Sequence, residues 1–344
     1  MSPQTEPLRR YNPLGDHLRK VFGGPVRKLP FSAGLTCPNR DGTRGTGGCF
    51  YCSGKDLVPS WFVPGEDVPT QLRRGMEALG RGGARMFIAY LQDHTGTHCA
   101  PERLEQVLAE ALSAPGVVGL SVGTRPDCLG SPVLDVLESF ARRTRLWLEI
   151  GLQSSSDSTL LSVGRNHTAA EFADAVRAAR ARGIETVAHV ILGLPGEGRA
   201  ETDATAGFLA TLGVPGVKIH NIMVLRGTRL HEMSERGEFV PPTAEEYRDM
   251  AVRFLERLPP GVVIHRLAAE APTDLLAAPA WARDKSAVIR AVERELERRD
   301  TRQSVRWLGS RSIPPGGTTD RETSPSWRKR GQGELPDLAK GPSA

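Results

Sequence analysis

The sequence predicts an α/β fold, an open or incomplete (β/α) barrel, on three observations. Short aliphatic or β-branched runs alternate with helix-length amphipathic stretches from Arg27 to about Ala269. The runs are near-continuously apolar, as strands covered on both faces of a parallel sheet must be. Six or seven such units fit one barrel better than a two-domain doubly wound fold, and no Gly-x-Gly-x-x-Gly opens a helix after the first strand.

Strands are expected at Arg27–Ser32, Met86–Leu91, Val117–Gly123, Leu146–Leu152, Thr186–Leu192, Val217–Val224 and Val262–Leu267. The intervening helices are expected near Pro69–Gly80, Pro101–Ala114, Pro132–Arg143, Ala169–Arg182, Arg199–Leu212 and Ala244–Arg257. Several begin with proline or follow Thr, Ser or Asp, which suits a helix start. Phe172, Ala175, Val176 and Ala179 recur at helical spacing, so their stretch buries one face. The expected organisation is an N-terminal extension at 1–20, the core at 21–270, a helical extension at 271–310 and a disordered tail at 311–344. In the extension, Pro279 to Arg299 reads as a connector and a charged helix. The tail's Pro, Gly, Ser and charge bury too little apolar surface to offset ordering entropy.

No apolar run approaches the ~20 residues of a membrane span, and Met1 to Lys20 holds no apolar signal core. The expectation is a cytoplasmic protein without a membrane partner, whose cysteines are metal ligands or spectators rather than disulfides. A net charge of +5 and a pI near 9.1 leave two readings open. One is an arginine-rich solvated surface; the other is a polyanionic substrate such as RNA.

The chemistry concentrates in one glycine-rich loop after the first strand. Eleven residues separate Cys37 from Cys49, and two separate Cys49 from Cys52. Three thiolates can hold three irons of a cubane cluster and leave the fourth open. A structural zinc would need a fourth ligand such as His94, His98, Cys99 or Cys128; otherwise Cys99 and Cys128 are bystanders. Gly42, Gly45, Gly47 and Gly48 allow tight turns around a bulky core. The Phe50-Tyr51 pair can shield the cluster or stack on an adenine.

This loop resembles the cluster motif of the radical S-adenosylmethionine (SAM) superfamily. That superfamily mostly separates its first two cysteines by three residues. The longer gap resembles one bacterial branch, the YhcC/YtqA-like proteins, related to the radical SAM domain of the Elongator catalytic subunit. Further matches are Phe87-Ile-Ala-Tyr-Leu-Gln92, Ser121-Val-Gly-Thr-Arg-Pro-Asp-Cys128, Leu148-Glu-Ile-Gly-Leu-Gln-Ser154, Gly164-Arg-Asn-His-Thr168, His189-Val-Ile-Leu-Gly-Leu-Pro-Gly-Glu197 and Lys218-Ile-His220. Ile264-His-Arg-Leu267 with Ala278-Pro-Ala-Trp281 extends the likeness to roughly residues 10–310.

The resemblance implies a partial (β/α)6-type TIM barrel of the radical SAM kind. Its chemistry would use a 4Fe-4S cluster on Cys37, Cys49 and Cys52, and SAM cleaved to a 5′-deoxyadenosyl radical that activates a C–H bond. Tyr90 and Gln92 stand where the family's normally glycine-rich segment meets the SAM amino group. Gln153 and Arg165 match the pair that holds its ribose and carboxylate, and a guanidinium fork suits a carboxylate. His189 is implied beside the ribose, and the turn from Gly193 beside the adenine. Arg125, Asp127 and His220 would face the barrel mouth as catalytic or substrate-side residues. Arg125 and Asp127 equally suit a mutual ion pair, and His220 a core histidine. Lys218 shares the strand face of His220, and Glu197 reads as structural.

The implied partners are a reductant such as flavodoxin or ferredoxin and a tRNA modified at its wobble-uridine side chain. Two rivals stand beside this: radical modification of a small metabolite or peptide, and a non-enzymatic zinc, iron–sulfur or electron-transfer protein.

Overall fold

The computed structural model describes residues 9–53, 61–63, 65–80, 83, 85–92 and 94–309. Seven parallel strands form a curled half-barrel in the order β1 (Val26–Phe31), β2 (Met86–Leu91), β3 (Val117–Thr124), β4 (Arg145–Gln153), β5 (Glu185–Leu192), β6 (Gly216–Asn221) and β8 (Val263–Arg266). The connections carry α2 (Val68–Gly80), α3 (Pro101–Ser113), α4 (Ser131–Ala141), α5 (Asp157–Ser162) with α6 (Ala169–Ala181), α7 (Arg199–Leu212), and α8 (Arg229–Glu235) with α9 (Ala244–Arg257). This is the expected partial barrel. The starts of α6 and α9 are fixed by capping boxes, Thr168 with Glu171 and Thr243 with Glu246.

Strand alternation sorts the side chains into two layers. Leu29, Phe31, Phe87, Ala89, Leu120, Leu148, Ile150, Val190 and Ile219 belong to the main core beneath the helices. The alternate set, among them Lys28, Ile88, Tyr90, Ser121, Trp147, Glu149, Val187, His189 and Lys218, meets inside the curl.

An element unforeseen in the sequence closes the lower end of that curl. Leu14, Leu18 and Phe22 share one face of α1 (Leu14–Phe22), which packs against both β1 and β8. Leu18 is buried with Ile88, Trp147 and Val187 at the N-terminal end of the strands. Pro13 bridges Ile264 in parallel, so the same segment lies along the free edge of β8.

The apolar run expected as one strand to Val224 divides. The Ile222 amide donates to the Leu192 carbonyl at 3.0 Å, and the chain then leaves the sheet as β7 (Val224–Leu225). There it pairs antiparallel with β9 (Leu276–Ala278), and Leu225, Leu276 and Ala282 bury together. The strand ends at the polar pair His220-Asn221, and pairing with β9 sets the direction of the apolar residues that follow. The charged helix is α10 (Lys285–Arg298), capped by Asp284 and laid on α9. The expected tail lies outside the described residues. No described helix is long and apolar enough to cross a membrane.

Candidate active site

The loop from Cys37 to Cys52 folds back on itself at the C-terminal end of β1. The Cys37 carbonyl accepts from the amides of Arg40 and Asp41, and the Pro38 carbonyl from those of Arg44 and Gly45. The loop is held from two sides. Phe50 N–H donates to the Val163 carbonyl at 3.0 Å, and Leu230 N–H of α8 donates to the Phe50 carbonyl at 2.9 Å. The Arg229 guanidinium lies 3.7 Å from the Phe50 ring centroid. Gly164, at φ 66°, leaves the space that ring needs, since a Cβ there would stand 3.1 Å from it.

All three loop cysteines are free thiols, with Cys37 and Cys49 buried and Cys52 half-buried. Among the described residues no three His, Cys, Asp or Glu side chains are placed to hold one metal ion. In a cubane each thiolate takes a different iron. Donors surround the sulfurs. Asn39 Nδ2 lies 3.4 Å from Cys49 Sγ, Arg165 Nη1 3.8 Å from the same atom, and Arg40 Nη2 3.4 Å from Cys52 Sγ. Burial pushes the Cys49 thiol up, but the charge and donor of Arg165, with Asn39 and Arg125, carry it below its usual value. Burial raises Cys52, which the Arg40 hydrogen bond only partly offsets. The thiolates and their donors therefore fit a cluster.

Below the loop, Glu149 of β4 is wholly buried inside the curl. It accepts from Ser121 Oγ at 2.6 Å, from Lys218 Nζ at 2.8 Å and from Lys28 Nζ. His189 Nε2 stands 2.6 Å from Glu149 Oε2, the oxygen that Lys218 also meets, while Ser121 and Lys28 meet Oε1. Burial alone would raise the Glu149 carboxyl, but Lys218, Lys28 and His189 hold it well below the carboxylate range. An ionised carboxylate only accepts, so a neutral His189 carries its proton on Nε2. Burial and Lys218 lower the His189 ring to about 4 against the pull of Glu149. Burial likewise lowers Lys218 to about 7, although Glu149 attracts its proton. Lys218 Nζ also donates to Tyr90 Oη at 3.1 Å.

A cavity of about 300 Å³ opens between loop and network, lined by Tyr51, Cys52, Gln92, Gln153, His189, His220 and Asn221 among others. Three polar atoms of its lining are buried without a hydrogen-bond partner: Tyr51 Oη, His220 Nε2 and Asn221 Nδ2. Gln153 ends β4 at φ 74°, where the β4–β5 register breaks. A non-glycine residue rarely holds that conformation, and such strain gathers at functional sites.

The structure thus gathers Cys52, Gln92, Gln153, His189 and His220 around one cavity, with Tyr90 beneath it. Arg165 lies outside that lining, beside Cys49 Sγ, and donates to the Gly151 carbonyl at 2.9 Å and to His167 Nε2 at 2.9 Å. Arg125 and Asp127 lie outside the lining. They form a two-bond ion pair at 2.9 and 3.0 Å, and Arg125 also donates to the Arg165 carbonyl at 3.0 Å. Gly193, at φ 87°, lines a neighbouring cavity of about 600 Å³; a Cβ there would stand 2.6 Å from Pro242. Glu197 accepts from Ser154 Oγ and so ties the β5 turn to the end of β4.

Sequence reasoning missed Glu149, Lys28, Asn39, Arg40 and Asn221 as site residues. The signal for Glu149 was present, a charge flanked by apolar residues inside a strand at the period-two position that faces inward; Lys28 stands beside Arg27 and carries no such mark.

A family model described as the radical SAM superfamily matches residues 40–209, and one described as the Radical_SAM C-terminal domain matches residues 214–298. YtqA of Bacillus subtilis is 36% identical over 304 residues, covering 88% of this chain and 94% of YtqA. Elongator complex protein 3 of Danio rerio is 29% identical over 196 residues, 55% of this chain but only 35% of that protein. A solved structure of Elp3 from the archaeon Methanocaldococcus infernus, lacking its N-terminus, superposes with a TM-score of 0.63 at 20% identity. That match covers 81% of this chain and 64% of that one.

Proposed function

This chain belongs to the radical SAM superfamily as a relative of YtqA, and from that premise we propose that it is the enzyme of a C–H activation on the wobble-uridine side chain of a tRNA. One observation carries the active-site assignment. Cys52, one of three free cysteines in the loop, lines a cavity together with His220, Asn221 and Tyr51, each of which carries a buried polar atom without a hydrogen-bond partner. Buried polar groups without partners are costly, so such atoms mark the place of a polar ligand.

Cys37, Cys49 and Cys52 would hold a 4Fe-4S cluster, and Arg165 and Gln153 would take the carboxylate and ribose of SAM. When bound, the two together supply a 5′-deoxyadenosyl radical able to abstract hydrogen from an unreactive carbon. The chain's own work is to orient and to exclude water. Arg165 is fixed by Gly151 and His167 before any ligand arrives, so little ordering remains to be done at binding. Tyr90 and Gln92 would border the amino group, His189 the ribose, and the Gly193 turn the adenine. His220 Nε2 is the group offered to substrate. Its ring is held neutral mainly by burial, so it keeps one nitrogen as donor and one as acceptor at neutral pH.

The likeness to Elongator complex protein 3 and the mildly basic chain support a tRNA substrate. The cavity's size equally suits a single nucleobase or a small metabolite. The test is anaerobic incubation of reconstituted protein with SAM, reduced flavodoxin or ferredoxin, and undermodified tRNA, followed by mass analysis of the wobble nucleoside. A changed mass at that nucleoside supports the proposal. An unchanged tRNA alongside turnover of a small metabolite or peptide would replace it.

A further inference from the structure

The long gap between the first two cysteines has a structural use. The segment after Cys37 turns back through the Pro38 carbonyl, and the Gly48 amide donates to the Asn39 carbonyl at 2.8 Å. This places Asn39 and Arg40 against the sulfurs of Cys49 and Cys52. Asn39 is 1% exposed. Its Nδ2 reaches the Gly164 carbonyl at 2.8 Å as well as Cys49 Sγ at 3.4 Å, and its Oδ1 accepts from Asn166 Nδ2 at 3.2 Å. The Arg40 Nη2 atom clamps the carbonyls of Cys52 and Ser53 at 3.0 and 2.8 Å while facing Cys52 Sγ at 3.4 Å. Gly48, at φ 82°, makes room for that guanidinium, since a Cβ there would stand 3.0 Å from Nη2.

We propose that Asn39 and Arg40 are the electrostatic partners of the cluster thiolates, and that Arg40 raises the potential at which the cluster accepts its electron. The inference rests on the three cysteines being the cluster ligands. The potential of such a cluster follows its net charge, its exposure and the hydrogen bonds to its sulfurs. Reduction adds one negative charge, which a fixed cation beside a half-buried sulfur stabilises more than it stabilises the oxidised state. Arg40 therefore acts through Cys52 and is a positioning and tuning residue.

The test is a redox titration of the reconstituted protein followed by electron paramagnetic resonance, with iron content measured on each sample. The variants are Arg40→Leu, Arg40→Gln and Arg40→Lys. With iron retained, Arg40→Leu should lower the reduced fraction about tenfold at a fixed potential, a midpoint about 59 mV more negative for one electron. Arg40→Gln should shift it less, and Arg40→Lys, which keeps the charge, should recover most of the loss. A fully loaded Arg40→Leu with the wild-type midpoint would overturn the proposal. If Arg40→Leu loses its iron, Arg40→Gln decides by the same midpoint, and loss of iron in all three variants would make Arg40 a structural clamp only. Failure of the wild-type chain to take up a cluster would instead fall on the ligand assignment itself.

Discussion

At the N-terminal ends of the strands, Ile88, Trp147 and Val187 meet Leu18 of α1 in an apolar plug. At the C-terminal ends, the loop of Cys37, Cys49 and Cys52 contributes Cys52 to a cavity whose other lining residues His220, Asn221 and Tyr51 carry unsatisfied polar atoms. Glu149 sits between the two, buried and bound by Lys28, Lys218, Ser121 and His189. The lower end spends its side chains on apolar burial, and the upper end leaves buried polar groups unpaired so that a ligand can use them. Barrels generally keep stability and chemistry at opposite ends of the strands in this way. Here a nine-residue helix does the closing.

The contrast can be broken from either end. The largest effect belongs to Cys49→Ala, which should abolish cluster iron while circular dichroism still reports the fold; normal iron content would remove Cys49 from the ligand set. Glu149→Ala comes next, because it leaves Lys28 and Lys218 buried without their carboxylate. Breaking a buried pair costs about 3–5 kcal/mol, read as a fall in unfolding free energy, and a change below about 1 kcal/mol would show that the network contributes little to stability. Leu18→Ala should cost about 2–5 kcal/mol, the range for emptying a buried leucine site, with cluster loading unaltered. Loss of iron in that variant would mean the two ends are coupled rather than separate.

The smallest effect is a pH slope in the cluster-free protein. Burial first, with nearby cations, lowers His189 to about 4 and His167 to about 3, and holds His220 and His265 well below the usual histidine range. These rings are neutral in the fold, whereas the unfolded chain binds protons below about 6.5. Stability from them is full above that pH and is lost as pH falls toward the folded values. The melting temperature should therefore drop between pH 7 and pH 5, less steeply in His189→Asn. An identical slope in that variant would show that His189 does not contribute.

Much of this contrast was legible in the sequence, because the strands are long, apolar and separated by helices with clear starts. The seven strands of the sheet overlap the expected runs, and the cysteine loop announced the chemistry. The pieces that escaped are short or depend on distant partners. Leu14, Leu18 and Phe22 are too few to mark a helix without the barrel floor they cover. The break after Asn221 comes from pairing with β9, some fifty residues on. Arg125 and Asp127 illustrate the limit at the site. Both fall at a strand end as expected, yet they pair with each other at 2.9 and 3.0 Å, outside the cavity lining. Asn39 and Arg40 read as loop polarity until the fold sets them against two sulfurs.

The central claim is that the three cysteines hold a cubane with one iron open to SAM. Electron paramagnetic resonance of the anaerobically reconstituted, reduced protein, recorded with and without SAM, tests it most directly. A cubane signal that shifts on adding SAM is the predicted result. The absence of a cluster, or a signal indifferent to SAM, would contradict it and leave the loop a structural or electron-transfer site.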